Sequence, residues 1–401
     1  MYPNIYAKNS MDRFGDDLCQ LLLSYLSLED RFRCECVSKQ FQRTIFESVV
    51  DITLNGRFIY RLFNEKTIDI KMLATIAIKC PKIQTIDCRE IHSFIAYIPE
   101  VLNTFRDNCR HLREIYCNLW ANSLQEMNTL WPLMTRIVDM NTNASESQSL
   151  SHCHRLSELK VFYLDQVFDS TYGQLLAKNL HKFELYFYSA DDYHRLSAFV
   201  AHNQSLRSIV AMNRYNTDDT LHEMCGQLSR LTQLRELTLG VKLTTDQHLL
   251  ADSLRTIAVN CKQLKRLSLN CYSEVNEPDL KSLDSLGYYR RLKRLGLTLD
   301  VTVREISLDS LRDCKRLTHL DMFSVGIAAK VLQSVVNNCP RLQYLSIHDL
   351  YSIIDTECLS HISRLPALQM LSRPMYSDMI NGLDSYSPYN QISTGYKLGI
   401  T

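Results

Sequence analysis

CKQLKRLSLNC, residues 261–271, sets Leu264, Leu267 and Leu269 at i, i+3 and i+5 behind a leading cysteine. The phrase returns along the chain as CPKIQTIDC at 80, CRHLREIYC at 109, CHRLSELKV at 153, CKRLTHLDM at 314 and CPRLQYLSI at 339. Copies without the cysteine are NQSLRSIVA at 203, LTQLRELTL at 231, YRRLKRLGL at 289 and LPALQMLSR at 365. Weaker ones begin at Met134 and Leu180. Marked by their first apolar residue, the copies fall at 83, 112, 134, 156, 180, 206, 234, 264, 292, 317, 342 and 368. The step is about 26 residues, a period that belongs to stacked repeats rather than to a closed globule.

The second half of each repeat has helical spacing. In TTDQHLLADSLRTIAVNC, Leu250, Leu254 and Ile257 fall at i, i+4 and i+7 behind Thr245 and Asp246 as cap candidates. IAAKVLQSVVNNC and DTECLSHISRL have the same form. A short strand followed by a helix cannot bury its apolar side alone, so neighbours stack with a parallel sheet inside and helices outside. The expected fold is an α/β repeat, a leucine-rich-repeat solenoid over 51–374.

The period also accounts for eight of the fourteen cysteines. Cys80, Cys109, Cys153, Cys261, Cys314 and Cys339 each lie three residues before a mark, and Cys88 and Cys117 fill the third apolar slot of their strands. A small thiol packs there like a hydrophobe. The leading cysteine resembles the cysteine-containing class of leucine-rich repeats, with Cys271 the nearest match to that class's second cysteine. His152-Cys153-His154 has no second ligand pair at zinc-like spacing, so it reads as a core cysteine between solvated histidines.

Bulk properties narrow the function. Of 401 residues, 45% are hydrophobic and 22% charged, so most of the chain can offset the entropy of ordering. A formal charge of +1 argues against coating nucleic acid. No apolar run of membrane-spanning length and no signal-peptide pattern is present, and the cysteine usage suggests reduced thiols in cytoplasm or nucleus. On that view the sequons at Asn143 and Asn203 match by letters only. No P-loop, G-x-S-x-G or H-E-x-x-H occurs, so neither enzyme, metal nor cofactor is expected.

Residues 11–50 depart from the period after a leader of 1–10. FGDDLCQLLLSYL starts on Asp16 and Asp17, favourable at a helix N-terminus, and carries Leu18, Leu22 and Leu26 at i, i+4 and i+8. A second helix is expected after Ser27-Leu28-Glu29-Asp30, with Phe32, Cys34, Cys36, Val37 and Phe41 in its apolar band. By pattern alone these helices either cap the solenoid or dock a partner.

FGDDLCQLLLSYLSLEDRFRCECVSKQF resembles an F-box, matching it without gaps at Asp17, Leu18, Leu22, Ser24, Tyr25, Leu26, Asp30, Arg33, Val37, Ser38 and Lys39. Phe14-Gly15 stands where the family has Leu-Pro, and Phe41 where it often has Trp. The whole chain therefore resembles the F-box/leucine-rich-repeat proteins, a small all-helical F-box followed by the solenoid. The resemblance implies a non-catalytic substrate receptor of an SCF-type ubiquitin ligase. Its partners would be a Skp-type adaptor, through it a cullin and a RING subunit, and a protein substrate. The implied adaptor face is Phe14, Leu18, Leu22, Leu26, Phe32, Val37 and Phe41. The rival reading is a leucine-rich-repeat scaffold or inhibitor unconnected with ubiquitin.

For the substrate, residues two, four and six after each mark should line the concave face. These positions include Tyr116, Met140, Phe162 and Tyr186, aromatic and apolar groups suited to an interface. Arg266, Arg294 and His319 should form a ladder at one such position, which suits an acidic or phosphorylated peptide. Residues 375–401, with four tyrosines among Gly, Ser and Pro, read as a flexible tail.

Overall fold

The structure is a computed structural model that describes residues 15–54, 70–89, 98–120, 128–141, 147–188, 192–212, 218–243, 248–273, 281–300, 308–324, 329–349 and 356–372. The expected leader at 1–10 and tail at 375–401 lie outside the described residues, as does Phe14. The chain forms two compact units, 1–161 with 166–177, and 162–165 with 178–401.

The first unit opens with three helices, α1 (Asp16–Ser24), α2 (Leu28–Arg33) and α3 (Lys39–Ser48). The second helix of the sequence reading is in fact two. After α2 a single 3-10 turn covers Cys34–Cys36, and the chain then restarts at Ser38, whose hydroxyl accepts from the Phe41 N–H at 3.1 Å. A serine oxygen satisfying an orphan helix donor is a stronger local signal than an unbroken apolar band. Ser27 caps α2 in the same way through the Asp30 N–H.

Strands β1 (Asp51–Thr53), β2 (Thr85–Asp87), β3 (Glu114–Trp120), β4 (Met134–Asn141) and β5 (Glu158–Tyr163, its end grouping with the second unit) pair in chain order, all parallel. Helices α4 (Ile70–Lys79) and α5 (Ile98–Asn108) connect the first of them. Register shifts interrupt the β3–β4 and β4–β5 pairings, where the weak repeat at Met134 starts its strand on the mark itself.

The second unit continues the plan without such slips. Strands β6 (Lys182–Phe187), β7 (Ser208–Ala211), β8 (Glu236–Leu243), β9 (Arg266–Ser273), β10 (Arg294–Asp300), β11 (His319–Ser324), β12 (Tyr344–Asp349) and β13 (Met370–Ser372) lie side by side in parallel. Every one of them starts two residues after its mark. The connections are α6 (Tyr193–His202), α7 (Asp218–Leu228), α8 (His248–Asn260), α9 (Ala329–Asn338) and α10 (Thr356–Ile362), with 3-10 segments at Lys281–Tyr288 and Asp309–Asp313. The fold is the leucine-rich-repeat solenoid that the period implies.

One repeat escaped the sequence reading. Val49, Ile52 and Leu54 repeat the L-x-x-L-x-L spacing, the first two with β-branched residues, and all three are buried. The repeat therefore begins directly where α3 ends, with no linker.

Leu264, Leu267 and Leu269 of the opening phrase are all buried, each such side chain contributing about 1.5–3 kcal/mol of burial. The leading-cysteine slot is buried as well, and its thiols donate to carbonyls of the preceding turn: Cys261 to Leu231 at 3.4 Å and Cys314 to Leu286 at 3.3 Å. Where the slot holds Asn203, its amide takes both roles, accepting from the Leu180 N–H and donating to the Phe199 carbonyl, each at 2.9 Å. The Asn203 sequon is thus a fully buried structural residue.

Candidate functional site

Two surfaces hold the residues that the sequence singled out. The first is the N-terminal helical bundle. Its core is Cys19, Leu23, Phe41 and Ile45, with Leu26, Phe32, Cys34 and Phe46 packed against it. A bond network ties α1 to α3: Asp16 accepts from Gln40 and Arg43, each at 2.8 Å. The Gln40 amide, and after it the Arg43 guanidinium, holds the Asp16 carboxyl below its usual range.

This core sorts the seven expected face residues. Leu18, Leu22 and Val37 are exposed, Leu26 and Phe32 are half-buried, and Phe14 lies outside the described residues. Phe41 corrects the expectation. It is 6% exposed because the break at Ser38 turns α3 so that its aromatic side chain faces the bundle core. Conversely, Leu21 and Tyr25, the latter 80% exposed, belong to the outer face but were not among the seven. Of α1 only Cys19 and Leu23 enter the core, which leaves these side chains outside it. Cys34 packs on the core and Cys36 is exposed, so the pair does not converge.

The bundle is fastened to the first repeats within the same unit. Lys79 pairs with Glu35 at 2.9 Å and lies 5.0 Å from the Phe46 ring, and Lys82 pairs with Glu47 at 3.2 Å.

The second surface is the solvent face of the strands, where most residues two, four and six after a mark are at least part-open, with buried exceptions such as Thr238 and Ser346, while those three and five after it are buried up to the repeat marked at 342. In the first unit Tyr116 sits between Arg136 at 4.5 Å and Arg89 at 5.4 Å and donates to Glu114 at 2.7 Å. Arg89 is held by Asp87, and Arg136 by Glu158 at 3.2 Å. Desolvation, and then the Glu114 contact, raises the Tyr116 hydroxyl. The side chain of Met140 lies outside the described residues.

In the second unit Phe162 and Tyr186 meet, ring centroids 5.7 Å apart, beside the stacked pair Tyr163–Phe187 at 5.3 Å. The ladder exists in register: Glu236, Arg266, Arg294, His319 and Tyr344 are successive partners across β8 to β12. Its charge differs from the expected one. Glu236 holds Arg266 at 2.8 Å, and His319 stacks on Tyr344 at 5.6 Å. Burial, then Arg294 and Arg266, push the imidazole below its ordinary value, so it is neutral at pH 7. Arg294 alone remains an exposed cation, without an ion pair among the described residues. Asp321, two residues past His319, went unnoticed because the sequence reading followed only one row.

Burial pushes the repeat thiols far from reactivity, Cys80, Cys153, Cys314 and Cys339 to about 12 and Cys109 and Cys261 to about 11. Among the described residues no His, Cys, Asp and Glu group is placed to hold a metal. Also among them, no helix is long and apolar enough to cross a membrane.

No protein-family model and no curated relative matches the chain. Solved structures with some likeness include an internalin (inlF) from Listeria monocytogenes, 16% identical, covering 89% of this chain and 87% of that one, with a TM-score of 0.27. An internalin C2 from the same organism is 12% identical over 62% of this chain and 84% of its own, with a TM-score of 0.31. The complex of Rad7 and Elc1 in yeast gives 14% identity, 84% and 88% coverage, and a TM-score of 0.39. At this level none of them bears on what the chain does.

Proposed function

We propose that this chain is the substrate-recognition subunit of an SCF-type ubiquitin ligase. The N-terminal bundle, read as an F-box, docks on a Skp-type adaptor, and the solvent face of the repeats holds a target protein. The observation that carries the reading is the outer face of the bundle. Leu18, Leu21, Leu22, Tyr25 and Val37 are all exposed while the bundle's own core is already closed by Cys19, Leu23, Phe41 and Ile45. Helices that only capped a solenoid would turn such side chains toward it, because exposed apolar clusters mark partner surfaces.

In this reading the chain contributes no catalytic group. It raises the effective concentration of target lysines near the charged conjugating enzyme. The ion pairs of Glu35 and Glu47 with the first repeats would fix the angle between adaptor and target.

Co-expression with a Skp-type adaptor tests the proposal. The wild-type chain should co-purify with it, and Leu18→Asp/Leu22→Asp should lose it while melting at the same temperature. If the double variant binds as well as wild type, or wild type does not bind, the reading fails and the scaffold or inhibitor alternative takes its place.

A further inference from the structure

We propose that the solvent face of β10–β12 contains a slot for a lysine or arginine side chain of the bound protein, with Asp321 as its counter-charge and two ring pairs as its walls. The inference deepens the reading above and rests on its claim that the repeats hold a protein target.

The register builds the slot. Gly296, Asp321 and Ser346 are partners across the three strands, so the carboxylate stands between two small residues. One row toward the strand starts, His319 stacks on Tyr344 with centroids 5.6 Å apart. One row toward the strand ends, Phe323 meets His348 at 5.9 Å. The two ring pairs are about 13 Å apart along the strands, with Asp321 midway. Gly296 keeps the β10 side low, and the space its Cβ would take is already occupied by Ser268 Oγ at 2.9 Å.

The charges select the occupant. Asp321 is exposed, and no described residue hydrogen-bonds or ion-pairs with it. Arg294 acts on it only at longer range. Partial loss of hydration on the strand face raises its carboxyl to about 6 against the pull of Arg294. Burial lowers His348, as it does His319, so both imidazoles are neutral rings at pH 7. A lone carboxylate with a ring pair on either side favours an ammonium or guanidinium, which ion-pairs with it while its alkyl stem lies against the rings. Arg294, likewise unpaired among the described residues, favours an acidic residue close to that cation in the same segment.

A random peptide-display library panned on the full chain, followed by titration of the enriched peptides, tests the slot. The expected peptides carry Lys or Arg, and changing that residue to Gln or making Asp321→Asn weakens binding about ten- to a hundredfold. Phe323→Ala should weaken it too. Binding should fall as the pH drops through about 6, because Asp321 takes up a proton and His319 and His348 gain charge. Peptides that ignore Asp321→Asn, whether acidic ones that need Arg294 or apolar ones, overturn the proposal, and so does a failure to enrich any. The Leu18→Asp/Leu22→Asp chain should bind the peptides unchanged, so failure of the slot and failure of adaptor docking are read separately.

Discussion

The N-terminal bundle and the repeats use the same residue types to opposite ends. Along α1, Leu22 is 41% exposed and its neighbour Leu23 is 1% exposed, and the bundle closes its core with four side chains. In the repeats nearly every leucine of the recurring phrase is buried, and the solvent face is left to charges, rings and small residues. The difference follows from stacking. Each repeat has neighbours to cover its apolar side, whereas about forty residues of helix enclose little and leave an apolar face over.

The contrast predicts a graded set of outcomes. Phe199 packs at a tilt against Phe183 in the second unit, centroids 4.3 Å apart, and both are fully buried. Phe199→Ala should cost about 3–5 kcal/mol in urea unfolding. In the bundle, Leu23→Ala should cost about 2–4 kcal/mol by the same measurement, while Leu22→Ala should change stability by less than about 0.5 kcal/mol. Equal losses at the two leucines would mean that the outer face is covered within the chain itself.

Asn203→Ala should follow at about 1–3 kcal/mol, because it strands the Leu180 N–H and the Phe199 carbonyl in the core. Asn203→Cys, which restores the commoner occupant of that slot, should recover part of the loss.

The smallest effect separates the cysteines. Alkylation of the native chain followed by mass spectrometry should modify Cys36 first, while Cys261 and Cys314 react only on unfolding. Their folded thiols stay protonated up to about 11 and about 12, above the ordinary 9.0. The stability linked to them is therefore complete below pH 9 and is lost as the pH rises through those values. Urea midpoints should fall above pH 9, and less so in a Cys261→Ala/Cys314→Ala chain.

Much of this was legible in advance because repeat periodicity is a one-dimensional signal. The marks from Leu180 onward each predict a strand start to the residue, since every copy must present the same apolar side to the same neighbour. Val49-x-x-Ile52-x-Leu54 was missed for a local reason: it follows an all-helical segment and has valine and isoleucine where leucine was sought. The bundle's face was half legible. Helical spacing identified Leu18 and Leu22, but it could not tell that Ser38 would start a new helix and carry Phe41 inward.

The sequence by itself determined the repeat fold, the strand positions and which alternate residues face solvent, because those depend on the spacing of apolar side chains along the chain. Only the tertiary structure decided which of the outward charges remain available. Arg266 and Arg294 look alike in sequence, yet strand register sets Glu236 against one and leaves the other open. Register likewise places Asp321 between two ring pairs drawn from two different strands. Pairing across strands joins residues roughly one repeat apart, and electrostatics at that range depends on position in space rather than on order in the chain.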